Sequence, residues 1–401
     1  MNYEFPIIKT IDDVLPAIEG RDEFVVADKG DYIVINYNVG FDDTFPPIKV
    51  AGGSAAMRAE RSKINAMRRE CRGIIFHPDG RIMSRPFNKF FNIGEREETL
   101  PRNIDMSHPH WVMEKMDGSM IRPIWVAGEL RLGTKMGLTD TAILAEEQTM
   151  TDERREWMQA MMKQNVTPLF EFTSPDNRIV IRYDQPELTL LAMRVNETGE
   201  YLPIDSMHGN EFFPVVQVYG SIDGGLMEYI EANRHIEGRE GVILSFGQGM
   251  FKIKFDQYVR IHRVKDRIRS DRHILALLLE NELDDVYPHL DHDDFDRVKK
   301  YEKDFHDAYR AKSEYLLEVI LTLVALADNK KHFATEILPN STLPNNAYSF
   351  AFKMYDRVQA IEPGFIPREY MNHMMMEYVK THIGSTVKYN EMAKWFGLEE
   401  Q

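Results

Sequence analysis

The chain has 401 residues, of which 43% are hydrophobic and 28% charged, with one cysteine and a formal net charge of −15 at pH 7. Such a length suits two or three domains with ordinary cores, and the composition excludes a disordered, collagen-like or disulfide-stapled protein. The acidic balance excludes a protein that coats nucleic acid nonspecifically, but not a nucleic-acid enzyme, whose binding depends on local basic surface.

Met1 to Gly20 carries Asp12, Asp13 and Glu19 without an unbroken apolar stretch, so no signal peptide is expected there. No uncharged apolar run reaches the roughly 18 residues of a membrane span. A soluble chain in a reducing cytoplasm is expected, with Cys71 a small buried hydrophobe. Short β-rich runs follow at Phe24–Ala27, Tyr32–Tyr37, Gly73–His77, Trp111–Lys115, Leu169–Phe172, Leu188–Met193, Gly241–Phe246 and Phe251–Phe255. Turn signals separate many of them, such as His77-Pro78-Asp79-Gly80 and Ser174-Pro175-Asp176-Asn177. Thr141 to Gln164 reads as a helical segment, with Leu144, Met150, Trp157 and Met161 on one broad apolar face.

Two basic stretches stand out, Arg58 to Arg72 and Lys252 to Arg272, against an acidic Asp284 to Asp296. After about Arg267 the strand signals fade. Asp296 to Asp328 reads as one long helix, followed by helices at Ala347–Ile361 and, after a Pro363-Gly364 break, at Tyr370–His382. The fold class expected is α+β: an antiparallel-sheet domain over 1–266, then an all-helical domain over 267–401, with the boundary near 264–272.

Chemistry concentrates at Lys115-Met116-Asp117-Gly118-Ser119. The apolar start Trp111-Val112-Met113 puts the lysine at a strand end, and Asp-Gly bends the chain directly after it. A lysine attacks phosphorus only when neutral, which desolvation or neighbouring positive charge promotes. Alone, the pentapeptide reads as an ordinary hairpin turn. Other residues reverse that reading. Glu171 lies between Phe170 and Phe172, and a buried carboxylate needs a partner such as a ribose hydroxyl, a lysine or a metal. Glu240-Gly241-Val242 precedes Lys252-Ile253-Lys254, whose alternation puts two ammonium groups on one strand face. A triphosphate would relieve their repulsion. The sequence has no Gly-x-x-x-x-Gly-Lys-Ser/Thr loop, His-Glu-x-x-His or Gly-x-Ser-x-Gly motif.

In this order the motifs resemble the covalent nucleotidyltransferases, and most closely the bacteriophage RNA ligase 1 family. Glu70-Cys71-Arg72-Gly73-Ile74, Ser84 to Asn92, Asn196 to Tyr201, and Lys252-Ile253-Lys254 with Tyr258-Val259 carry the likeness, which covers roughly residues 30 to 265. The resemblance implies a nucleotidyltransferase domain in which Lys115 forms a lysine-adenylate with ATP. Tyr37, Arg72, Lys89 and Lys135 would be nucleotide-site residues, and Asp117 and Gly118 would complete the lysine loop. Glu171 would serve the nucleotide pocket, Glu240 the catalytic metal, Lys252 and Lys254 the phosphates, and Tyr258 the ligation step. Asp284-Asp285 falls where the family has an acidic pair linked to magnesium, though a solvated loop is the plainer reading. His289 to Asp294 lacks zinc-site spacing and reads as an interhelical loop. The implied cofactors are ATP and Mg2+ or Mn2+. The implied partner is RNA with 5′-phosphate and 3′-hydroxyl ends, including a cleaved tRNA anticodon loop. A monomer without membrane contact, in the cytoplasm of an infected bacterial host, is expected. The alternatives are a DNA ligase or capping guanylyltransferase, against which the helical C-terminal third counts, and a non-catalytic RNA-binding protein of the same fold.

Overall fold

Short runs rich in Val, Ile, Leu and Phe form strands through most of the first two-thirds of the chain. The structure, a computed structural model, describes residues 4–38, 43–280, 282–287, 290–360 and 366–398, the side chain of Asp285 excepted. The strands are β1 (Phe24–Asp28), β2 (Ile33–Tyr37), β3 (Ile74–Phe76), β4 (Ile82–Ser84), β5 (Trp111–Lys115), β6 (Ser119–Val126), β7 (Glu129–Gly133), β8 (Val166–Thr173), β9 (Glu187–Val195), β10 (Val218–Gly220), β11 (Gly241–Ser245) and β12 (Met250–Lys254). Among the described residues they form three antiparallel sheets ordered β1-β2-β3-β4, β10-β5-β11-β12 and β7-β6-β8-β9.

The first sheet is buried on both faces. Ile35, Ile74 and Phe76 pack in one core with Met67 of the helix Ala55–Glu70, and Val34 and Ile75 join the core of the third sheet. The third sheet is covered by the helices Asp140–Thr149 and Asp152–Lys163. They replace the single segment expected over Thr141 to Gln164. Thr151 ends the continuity because its side chain caps the second helix at the Arg154 N–H, with Asp152 and Glu153 in the favourable first turn. The second sheet packs Val112, Val242, Leu244 and Ile253 against Leu226 of the helix Leu226–Asn233.

A buried charge cluster ties these layers together. Glu70 accepts from Arg85 Nε at 3.0 Å and Arg194 Nη2 at 2.9 Å, with all three side chains fully buried. Burial alone would raise the Glu70 carboxyl, but the two guanidiniums outweigh it and hold it below its usual value. Arg194 also donates to the Pro86 carbonyl, and Tyr201 and Asn88 exchange hydrogen bonds, so the segment leading to Lys89 is held at several points.

The chain divides into two compact units, residues 1–260 and 261–401, and the helix Asp256–Arg267 runs across the division. The second unit is all helical among its described residues. The helix His292–Ala325 buries Val298, Tyr301, Phe305, Leu316 and Ile320, and Asp291 caps it at the Asp294 N–H. The helices Tyr348–Ala360, Pro367–His382 and Thr386–Phe396 pack in the same core. Ile361, the Pro363-Gly364 break and His289 lie outside the described residues. The architecture is thus α+β followed by helices. No helix among the described residues is long and apolar enough to cross a membrane.

Candidate active site

Lys115 ends β5, whose Val112 and Met113 are buried. Because β5 belongs to the second sheet and β6 to the third, Met116-Asp117-Gly118 is a crossing between sheets. The hairpin that the pentapeptide suggests in isolation is not formed. A Cβ at Gly118 would lie 2.3 Å from the Phe172 carbonyl oxygen, so only glycine fits there. The Gly118 N–H donates to Glu171 Oε1 at 3.1 Å. Asp117, 2% exposed, accepts from the Val180 and Ile181 N–H groups at 2.8 and 2.7 Å and from the Tyr258 hydroxyl at 2.7 Å. The Asp117 N–H donates to the Tyr183 hydroxyl oxygen at 3.2 Å.

Strand register explains the centre of the site. β11 runs between β5 and β12, and Gly241 is paired with Lys115 on one side and Lys254 on the other. Glu240 immediately precedes that row. Its carboxylate, 4% exposed, meets Lys115 Nζ at 2.6 Å through Oε2 and Lys254 Nζ at 3.0 Å through Oε1. A Cβ at Gly241 would stand 2.0 Å from the Ile253 carbonyl oxygen, so the close strand approach that brings both lysines to one carboxylate requires glycine.

Alternation on β8 sends Phe170 and Phe172 into the core and turns Glu171 to the opposite face. Burial pushes the Glu171 carboxyl up to about 7, with Lys115 pulling it down and Glu240 pushing it up. On β12 the buried Phe251 and Ile253 leave Lys252 and Lys254 on the site face. Burial, followed by the nearby Arg72, Lys115 and Lys89, lowers Lys252 to about 7. Its Nζ sits 4.8 Å from the Phe90 ring centroid. Lys89 Nζ is 3.5 Å from the Tyr37 hydroxyl, and Lys135 Nζ is 5.8 Å from the Tyr37 ring centroid. Burial would raise the Tyr37 hydroxyl, but Lys89, Arg72 and Lys135 together hold it below its usual value. Among the described residues no carboxylate forms an ion pair with Arg72, Lys89, Lys135 or Lys252.

The first unit therefore brings together Tyr37, Arg72, Lys89, Lys115, Asp117, Gly118, Lys135, Glu171, Glu240, Lys252, Lys254 and Tyr258. Asp284 lies in the second unit, exposed on the short helix Leu283–Val286, and the side chain of Asp285 is outside the described residues. Among the described residues no group of three or more His, Cys, Asp or Glu is placed to hold a metal ion. Phe91 is buried, with Arg69 and Arg96 over its ring, so it packs and presents no open face. Sequence reasoning missed Tyr183 and also Arg122. The latter is fully buried on β6 and donates to the Gly73 carbonyl and to Ser84, so it supports the backbone beside Arg72. An arginine inside an apolar strand, Ile121-Arg122-Pro123-Ile124, was the available signal.

A lysine on a buried carboxylate, flanked by basic side chains that no carboxylate among the described residues pairs with, defines a site for a strongly anionic substrate. A family model described as RNA ligase matches residues 70–259. A chain of Thermovibrio ammonificans, provisionally named an RNA ligase, is 30% identical over 69% of this chain and 71% of its own length. RNA ligase 1 of bacteriophage TS2126 is 29% identical over 54% of this chain and 57% of its own length. A chain of Autographa californica nuclear polyhedrosis virus, provisionally named a bifunctional polynucleotide kinase/RNA ligase, is 28% identical over 58% of this chain and 36% of its own. The chain belongs to the RNA ligase 1 family and is an enzyme of that class, an RNA ligase.

Proposed function

We propose that the protein uses ATP to join RNA 5′-phosphate and 3′-hydroxyl ends through an adenylate carried on Lys115. One observation carries the reading. Lys115 Nζ rests 2.6 Å from the buried Glu240 carboxylate, with Arg72, Lys89, Lys135 and Lys252 close by and, among the described residues, in no ion pair with a carboxylate. A triphosphate supplies the negative charge that those cations lack.

In the first step Lys115 Nζ attacks the α-phosphorus of ATP, the α–β bridging P–O bond breaks, and pyrophosphate leaves among the cations. The proton that Nζ must surrender passes by way of Glu240, already within hydrogen-bond reach, to water, which leaves the carboxylate charged and able to hold a metal ion. Glu171, fixed by the Gly118 N–H, accepts hydrogen bonds from the nucleoside ribose. In the second step an oxygen of the RNA 5′-phosphate attacks the same phosphorus. The Lys115 N–P bond breaks, Nζ recovers a proton, and AMP becomes linked to the RNA through a pyrophosphate bridge. In the third, the 3′-hydroxyl attacks the RNA 5′-phosphorus, loses its proton and expels AMP, leaving a phosphodiester. Tyr258 acts through Asp117, keeping the lysine loop in place during ligation.

A magnesium or manganese ion would take Glu240 as a ligand and complete its shell with phosphate oxygens and water, which suits a site with few carboxylates; bound, it neutralises phosphate charge. The exposed Arg260, Arg263, Arg267 and Arg269 offer the RNA backbone salt-sensitive contacts. We assign the helical unit to RNA recognition, and the biological task to repair of cleaved tRNA by a monomer in the cytoplasm of a phage-infected bacterium. Labelled ATP or GTP with magnesium and no RNA tests the chemistry. Denaturation-resistant label from ATP only, absent in Lys115→Ala, is expected; no label refutes the reading, and label from GTP moves it to capping. Sealing of a cleaved anticodon loop no faster than of a plain single strand would remove the tRNA assignment.

A further inference from the structure

A cavity of about 720 Å³ opens in the first unit next to the Lys115 site, and its lining includes none of Lys115, Glu171, Glu240, Lys252 or Lys254. Its volume lies in the range, about 300–1,000 Å³, of pockets that enclose small organic ligands. Phe5, Ile48, Phe90 and Met250 give it apolar and aromatic walls, and one face of the helix Ala55–Glu70 contributes Ala59 and Ser62. Two residues join it to the cation cluster. Lys89 lines the cavity and reaches the Tyr37 hydroxyl at 3.5 Å, and Phe90 lines it while carrying Lys252 Nζ 4.8 Å from its ring centroid. The charges around it are unequal. Lys49, Lys63, Arg69 and Lys89 line it against Glu4, Glu97 and Glu98, and Arg69 is paired with Glu98.

Displacement at phosphorus places the entering and leaving groups in line. When Lys115 attacks, pyrophosphate departs from the side opposite Nζ. When Lys115 is itself the leaving group, the RNA 5′-phosphate must enter from that same opposite side. The 5′-phosphate therefore takes the place that pyrophosphate held among Arg72, Lys89 and Lys252, and its nucleoside must lie immediately beyond them. The cavity lined by Lys89 and Phe90 adjoins that cluster. We propose, building on the ligase reading above, that it receives the 5′-terminal nucleoside of the phosphorylated RNA strand. The base lies on the aromatic and apolar walls, and Lys49 and Lys63 face the next phosphates.

Ala59→Trp and Ser62→Trp would fill the cavity from the helix surface without touching the Lys115 site. The assay follows lysine-adenylate formation from ATP alone, then AMP transfer to 5′-phosphorylated oligonucleotides whose 5′-terminal nucleoside is either intact or abasic. The wild-type protein should transfer to the intact strand about tenfold more efficiently than to the abasic one, a ratio typical of one stacked base. Both tryptophan variants should form the lysine-adenylate at near wild-type rate but transfer about tenfold more slowly, through a raised KM for the 5′-phosphorylated strand, and should not distinguish the two strands. Equal transfer to intact and abasic strands by the wild-type protein overturns the assignment while leaving the ligase reading standing. So do tryptophan variants whose AMP transfer still distinguishes the intact from the abasic strand as the wild-type protein does. Absence of any lysine-adenylate in the wild-type protein takes both readings down.

Discussion

Raising the pH from 7.5 to 9 should weaken binding of the unreactive analogue α,β-methylene-ATP about 25-fold, through Lys252. Burial, with Arg72, Lys115 and Lys89 close by, holds the Lys252 ammonium at about 7, below the ordinary 10.5. An anion bound against it favours the charged form and raises its pKa, so binding takes up a proton whenever Lys252 is neutral beforehand. With a pKa near 7, about a quarter of the free protein carries the charge at pH 7.5 and about 1% at pH 9. The ratio is about 25-fold, or about 2 kcal/mol. Calorimetric titration across this range, repeated in buffers of different ionisation enthalpy, measures both the affinity and the proton uptake. Lys252→Arg stays charged throughout and should show almost no slope. A flat profile in the wild-type protein, or an unchanged slope in Lys252→Arg, refutes the reasoning.

Three further outcomes are expected. Glu240→Gln removes the carboxylate shared by Lys115 and Lys254 and should slow lysine-adenylate formation at least about 100-fold, the usual contribution of a positioned base, as read by labelled AMP incorporation. Tyr258→Phe deletes the hydroxyl that donates to Asp117 at 2.7 Å and should cost about 2 kcal/mol in urea unfolding; an unchanged midpoint would show that the bond contributes nothing. Glu70→Gln leaves Arg85 and Arg194 buried without their shared counter-charge and should destabilise the first unit by about 3–5 kcal/mol, while the double replacement of Glu70 and Arg194 by apolar residues should recover part of that loss.

What the sequence reveals and conceals here follows from how local each determinant is. Lys115 at a strand end, Glu171 between two core phenylalanines, and the Lys252/Lys254 alternation are all readable because each depends on a few neighbouring residues. β6 escapes notice because Arg122 and Pro123 interrupt its apolar run, and Gly73 and Ser84, distant in sequence, accept from the two terminal nitrogens of the arginine. The helix Ala55–Glu70 reads first as a basic stretch, although its Ala, Met, Arg and Glu content and the Ser54 cap are helix signals. Its outer Arg58, Arg61 and Lys63 are exposed, whereas Arg69 is buried, so one charge run serves both a solvated face and the interior. The contact of Tyr258 with Asp117 spans 141 positions, and no local pattern announces it. The sheet crossing at Asp117-Gly118 is hidden for the same reason: a hairpin and a crossing share one local sequence, and only the partners of β5 and β6 distinguish them.

The claim on which the rest depends is that Lys115 is the residue that carries AMP. Incubating the protein with ATP and magnesium, digesting it under conditions that preserve phosphoramidates, and mapping the added mass by fragmentation mass spectrometry tests it directly. A single AMP on Lys115, discharged when 5′-phosphorylated RNA is added, is the expected result. AMP on another residue, or none in a protein that still seals RNA, would contradict it.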